Sequence, residues 1–180
     1  MTPNSYAQPT PRSCGPAALS FALYKTHTKY FPSWEIAYEH VVAKWPGGWK
    51  DRDNTLDDIN DWPDDHRRVI ESLGYGLNQH MVTVKDILES RYPPCSVVCL
   101  IHAQDTHMAK HWVVIGEVSE TTVFLHWGDG KIHSASHEGF ILLFTRSFPN
   151  CAYTILSVEP ELSRWQRFRR WFLGILARFT

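Results

Sequence analysis

Cys14-Gly15-Pro16-Ala17-Ala18-Leu19-Ser20-Phe21-Ala22-Leu23-Tyr24 is the stretch that decides the fold. It is apolar almost all round, and Pro16 falls where the first turn of a helix tolerates a residue without an N–H. The run predicts a buried central helix that opens at Cys14. Upstream, residues 1–13 hold Pro3, Pro9 and Pro11 among Asn, Ser and Thr, which opposes helix and strand alike, so they read as an extended lead-in. A thiol in the first turn of a helix sits beside backbone N–H groups and the positive end of the macrodipole. Both favour thiolate over thiol, so Cys14 is placed to be activated.

Working outward, Ser33 can cap a second helix from Trp34 to about Lys44, with Glu35 in its first turn and Ile36, Ala37, Val41 and Val42 apolar; Pro46-Gly47-Gly48 ends it. Helical patterns recur at His66–Ser72 and Val84–Glu89. Pro93-Pro94 then precede Ser96–Ile101, β-branched enough to be a strand. His111–Val118, Thr121–Trp127, Lys131–His133 and Ala152–Val158 read as an antiparallel sheet, with tight turns at Ser119-Glu120 and Gly128-Asp129-Gly130. Helices first and strands second make an α+β layout.

The chain has 180 residues, room for one domain with a real core but not for two. With 43% hydrophobic residues, eight Trp and nine Phe against 21% charged, the composition is that of a folded globule. Four cysteines, at 14, 95, 99 and 151, have neither the density nor the spacing of a disulfide scaffold, which favours a reducing, cytoplasmic compartment. No apolar run is long enough to cross a bilayer, and the polar start Met1–Gln8 is unlike a signal peptide.

Net charge is −1, but Ser163–Thr180 carries five Arg and no acid, which leaves thirteen bases against nineteen acids, a net of −6, before it. We therefore expect a domain over 1–160 and a basic amphipathic helical tail over 161–180. Trp165, Phe168, Phe172, Ile175, Leu176 and Phe179 share one face of that helix at helical spacing. Such a helix can cover its own domain, dock a partner or lie on an anionic membrane.

A cysteine nucleophile needs a base. His111 opens the apolar run His111-Trp112-Val113-Val114-Ile115-Gly116, so its ring should project from a rigid strand near the sheet edge. Gln8, six residues before Cys14-Gly15-Pro16-Ala17, together with the later HWVVIGEV run, resembles the papain superfamily, most closely the bacteriocin-leader peptidases and their compact toxin and effector relatives. The resemblance spans roughly residues 6–156. It implies a helix carrying the nucleophile Cys14, a strand carrying the base His111, and Gln8 joining the Cys14 N–H in an oxyanion hole. The residue that orients the imidazole lies, in this family, at the end of the next strand. Its ungapped place falls on Trp127, and the nearest carboxylate is Asp129, to which the orienting role is assigned. Lys131–Phe144, with Ser136 and Gly139-Phe140, resembles the family's closing strand and short helix.

The activity so implied is that of a cysteine protease with a Cys-His-Asp triad acting on a protein or peptide. Because no transporter domain accompanies it, an effector or toxin cleaving a cytosolic target is expected, delivered by a secretion system and countered by an immunity protein over Cys14. The same thioester could instead serve a glutamine deamidase or transglutaminase. A third reading is an inactive interaction module, motivated by Trp127 in the acid's place. No cofactor and no nucleic acid enter. His102, His107 and His111 are spaced loosely enough to suggest a metal, but the intervening Ala103–Thr106 reads as a surface loop and zinc needs three or four converging ligands. Lys50–Asp65, with seven Asp, hints at a calcium loop but lacks the central Gly and final Glu, so it reads as a solvated loop. Trp45, Trp49 and Trp62 around it read as packing.

Overall fold

Helix α1 (Cys14–Thr26) is buried on every side from Cys14 to Tyr24, as its all-round apolar sequence requires. The computed structural model describes residues 5–10, 13–45, 62–89, 97–104, 107–145 and 153–159. The basic tail, Cys95, Cys151, Pro93-Pro94 and the acidic stretch up to Asp61 lie outside them. Within α1 the buried Ser20 hydroxyl donates to the Pro16 carbonyl at 2.6 Å, so that group costs the core no unpaired polar atom. Helix α2 (Trp34–Ala43) starts where Ser33 accepts the Ile36 N–H, and packs along α1. Helix α3 (Trp62–Ser72) ends in the turn through Gly74.

The strands are β1 (Gly76–Val82), β2 (Val97–Gln104), β3 (His107–Val118), β4 (Thr122–His126), β5 (Ile132–Ser136) and β6 (Tyr153–Glu159). They form one sheet in the order β1-β6-β2-β3-β4-β5, with every pairing antiparallel. Two short helices complete the described residues. α4 (Val84–Leu88) begins in a capping box between Thr83 and Asp86, and α5 (His137–Thr145) follows β5 directly.

The sheet is covered on both faces, and β3 shows it most directly. Trp112 and Val114 point into the core shared with α1, α2 and α3, while Val113 and Ile115 point into a second core with Val84, Ile87, Val123, Leu125 and Phe140. Alternate residues of a strand point to opposite faces, so a centre strand between two helical layers is apolar at successive positions.

Two expectations need correction. β1 was not anticipated, so the chain is not simply helices followed by strands. And β2 runs to Gln104 while β3 starts at His107, so Ala103-Gln104 belong to a long hairpin rather than a surface loop. His111 therefore stands within a central strand, opposite Leu100, and does not open an edge strand. Its other flank is open to the loop after β4, because the β3–β4 ladder begins only at Val114 opposite His126.

Candidate active site

The N-terminal strap and the loop after β4 build the site together. Ala7 bridges Asp129; on either side the Gln8 N–H donates to the Gly128 carbonyl and the Gly130 N–H to the Tyr6 carbonyl, both at 2.8 Å. A further anchor lies below. Ser5 Oγ donates to the Lys131 carbonyl at 2.8 Å, so at 3.1 Å it must accept from His126 Nδ1. That fixes His126 as the Nδ1–H tautomer. Burial, aided by the nearby Lys25 charge, pushes its pKa down to about 4, so it stays neutral. The strap is thus tied to the loop by backbone and side chains along its length.

The loop turns on Gly128 and Gly130, at φ of +89° and +82°, where side chains are strained. A Cβ at Gly128 would also stand 3.0 Å from Gln8 Oε1 and 3.3 Å from the Tyr6 ring. Gly74, at φ +90°, has open space around it. Gly74→Ala should therefore cost only backbone strain, about 1 kcal/mol, and Gly128→Ala about 1–3 kcal/mol more. Urea unfolding of the two variants against wild type measures the difference.

His111 takes its orientation from this loop. Its Nε2 lies 2.8 Å from the Trp127 carbonyl oxygen, and its ring packs 5.0 Å from the Trp127 indole. A carbonyl can only accept, so Nε2 carries a proton, and in the neutral ring Nδ1 then holds the lone pair that a general base needs. Asp129 was expected here, but its carboxylate is engaged elsewhere: Oδ1 accepts the Lys131 N–H at 3.0 Å and Oδ2 accepts from His133 Nε2 at 2.8 Å. The His133 hydrogen bond, with the Lys131 N–H, holds the Asp129 carboxyl below its ordinary value. The backbone of Trp127, on which the acid's ungapped place falls, supplies the acceptor to His111.

Cys14 is the first residue of α1, which packs on β3, and its side chain is 1% exposed. Ser13 makes no side-chain cap bond, because its hydroxyl turns back to the Thr10 carbonyl and accepts the Thr10 N–H. The helix's first N–H groups are therefore not masked by a cap from Ser13. The buried Tyr6 phenol is pushed far up, first by burial and then by its electrostatic interactions with Cys14 and Asp129, so it remains protonated.

Gln8 Nε2 donates one proton to the Thr10 carbonyl at 3.0 Å and so keeps a second N–H. Its Oε1 is buried without a hydrogen-bond partner, which costs about 1–3 kcal/mol. Thus Gln8 is joined to Gly128 and His111 to Trp127, adjacent residues of one loop. Cys14 follows Gln8 through the turn closed by Ser13. Among the described residues no group of three or more His, Cys, Asp or Glu could hold a metal ion.

The fold has a known counterpart. The peptidase domain of Streptococcus ComA, a bifunctional ABC transporter involved in quorum sensing, is similar over 87% of this chain and 97% of its own, with a TM-score of 0.56 and 15% identity. The fold is papain-like. The Pseudomonas avirulence protein AvrPphB matches over 82% of this chain and 90% of its own, at a TM-score of 0.40 and 8% identity. No family model matches the sequence, and no curated protein matches it. The papain-like likeness is one of architecture: a buried central helix packed on an antiparallel sheet. The roles of the side chains rest on their own geometry.

Proposed function

We propose that the chain is a cysteine protease in which Cys14 is the nucleophile, His111 the general base and acid, and Gln8 an oxyanion donor. The observation that carries this reading is the 2.8 Å contact from His111 Nε2 to a carbonyl that cannot donate. It leaves a basic Nδ1 on the strand against which the Cys14 helix packs. In the reaction Nδ1 takes the thiol proton and sulfur attacks the peptide carbonyl carbon. The negative charge that develops on oxygen is met by the Cys14 N–H and the second N–H of Gln8 Nε2. The C–N bond then breaks as His111 returns the proton to the leaving amine, and water releases the acid from the thioester.

Substrate is a protein or peptide, the class on which papain-like peptidases act. The effector or toxin role is the reading that the sequence resemblance supports, with a cytosolic protein as target. Induced expression of wild type beside Cys14→Ala in bacteria, with growth followed and the proteome compared, tests both. Growth arrest with new protein termini in the wild type alone supports the protease. Intact chains carrying deamidated Gln would transfer the same thioester chemistry to a deamidase. Gln8→Ala should slow the appearance of new termini about 10²- to 10³-fold, the usual worth of one oxyanion donor.

A second reading, an inactive interaction module, is favoured by the 1% exposure of Cys14 and by the uncharged backbone carbonyl that His111 Nε2 meets. Alkylation separates the two. A working pair makes Cys14 react with iodoacetamide at pH 6 far faster than an ordinary thiol, and a dead module does not.

A further inference from the structure

We infer that Asp129 and His133 are positioning residues for His111, acting together through the Trp127 turn and not by contact with the imidazole; this rests on the protease reading of Cys14 and His111. The carbonyl that fixes His111 belongs to a turn with two left-handed glycines, a backbone that would otherwise be among the loosest in the fold. Two clamps hold it. On the inner side are the strap bonds from Gln8 to Gly128 and from Gly130 to Tyr6.

On the outer side is Asp129, whose two oxygens tie Lys131 in the turn and His133 on β5. His133 also packs 6.2 Å from the Trp127 indole, which lies 5.0 Å from His111 on its other contact. The outer clamp thereby fixes the side chain and the backbone of the same residue, Trp127. Asp129 and His133 are each about half exposed, at 42% and 47%, so their worth to global stability is small. Their consequence is local: the Trp127 carbonyl is held where a single imidazole orientation satisfies it. A carboxylate direct to the base would add charge stabilisation to the imidazolium. Here a neutral carbonyl orients, and the carboxylate secures the carbonyl.

The test uses the full chain. Nitrogen-15 NMR of the imidazoles reports the His111 tautomer, and mass spectrometry reports the rate at which iodoacetamide alkylates Cys14. In the Cys14→Ala background and mildly alkaline buffer, where no thiol proton passes to Nδ1, His111 should be the Nε2–H tautomer alone. Asp129→Ala and His133→Phe should each give a mixture of tautomers in that background and, with Cys14 present, slow alkylation at pH 6 about 10- to 100-fold, the scale of a misplaced reacting group. The double variant should be no worse than either single, because both act through one turn. Thermal unfolding should be nearly unchanged in all three.

The inference is overturned if Asp129→Ala scrambles the tautomer while His133→Phe leaves it fixed, which would make Asp129 the direct orienter. It is overturned equally if neither variant moves it. Failure of the protease reading looks different: His111→Ala then leaves the alkylation rate of Cys14 as it was, whatever the tautomer does.

Discussion

Cys14→Ala and His111→Ala should each reduce proteolysis by roughly 10⁴- to 10⁶-fold, and the double variant should be no slower than either single. The magnitude follows from what each group supplies in the proposed mechanism. Without sulfur no acyl-enzyme can form, and water must attack the amide directly. Without His111 the thiol keeps its proton and the leaving amine has no donor. Since either loss ends the same two-step route, the second removes nothing more. This non-additivity is a stronger check than the size of either loss. Two residues that merely stabilise a packed core would lose in sum, or nearly so, once separated.

In the same mechanism the residual rate belongs to the proposed oxyanion donors. Gln8→Ala should therefore still matter in the Cys14→Ala background only if Gln8 binds the carbonyl oxygen. Circular dichroism and urea midpoints for the four proteins, measured beside the appearance of cleaved termini, separate chemistry from folding. A fall of Cys14→Ala to about tenfold below wild type, with an unchanged urea midpoint, would contradict a nucleophilic role.

How far the site was legible in the sequence differs from residue to residue. Helix α1 could be placed from its all-round apolar run, and α2 from Ser33 as cap, because both signals are local. The hairpins from β3 to β5 were legible for the same reason: β-branched runs are separated by Gly128-Asp129-Gly130. β1 was not, since Gly-Leu-Asn-Gln-His-Met-Val alternates poorly and has three polar residues, Asn78, Gln79 and His80, at its centre. It is a strand because β6 pairs with it along all seven positions, a long-range cause that no local pattern records.

The orienter of His111 was hidden by a different mechanism. Every residue carries a carbonyl, so a backbone acceptor leaves no trace in sequence. Asp129 was the nearest carboxylate to the expected place, yet two positive-φ glycines turn it outward to His133, four residues on. The Gly-Asp-Gly signal announced a tight turn but not the direction of its side chain. His66 was likewise read only as part of a helix. Its burial between Trp45 at 5.3 Å and Trp112 at 4.7 Å depends on α3 meeting β3 across the core.

That burial, with that of His126, leads to the expectation that stability falls steeply in mild acid. Burial pushes the pKa of His66 down to about 3 and, with the Lys25 charge, that of His126 down to about 4, from an ordinary 6.5. In the unfolded chain both imidazoles bind a proton as pH falls through 6.5. In the folded chain neither does until pH 4 or below. The unfolded state therefore holds up to two more protons across that window, and stability rises with pH inside it and is lost as pH falls. Each imidazole costs about 1.4 kcal/mol per pH unit, so two together remove about 5 kcal/mol between pH 6.5 and 4.5, comparable with the whole stability of many domains.

Urea unfolding from pH 7.5 to 4.5 should be level above 6.5 and fall by about 2.8 kcal/mol per unit well below it. His66→Phe, which keeps an aromatic ring between the two tryptophans, should halve the slope whatever it does to the absolute value. A flat profile to pH 4.5 would mean that the folded protein protonates these imidazoles as readily as the unfolded chain does. Of the two, His126 couples stability to the site, because its Nδ1–H holds Ser5 and its ring packs 4.7 Å from Phe21 of α1. Acid that charges it stresses the strap that carries Gln8 and the helix that carries Cys14 at once. Loss of Cys14 reactivity should then track, or slightly precede, the loss of fold as pH is lowered.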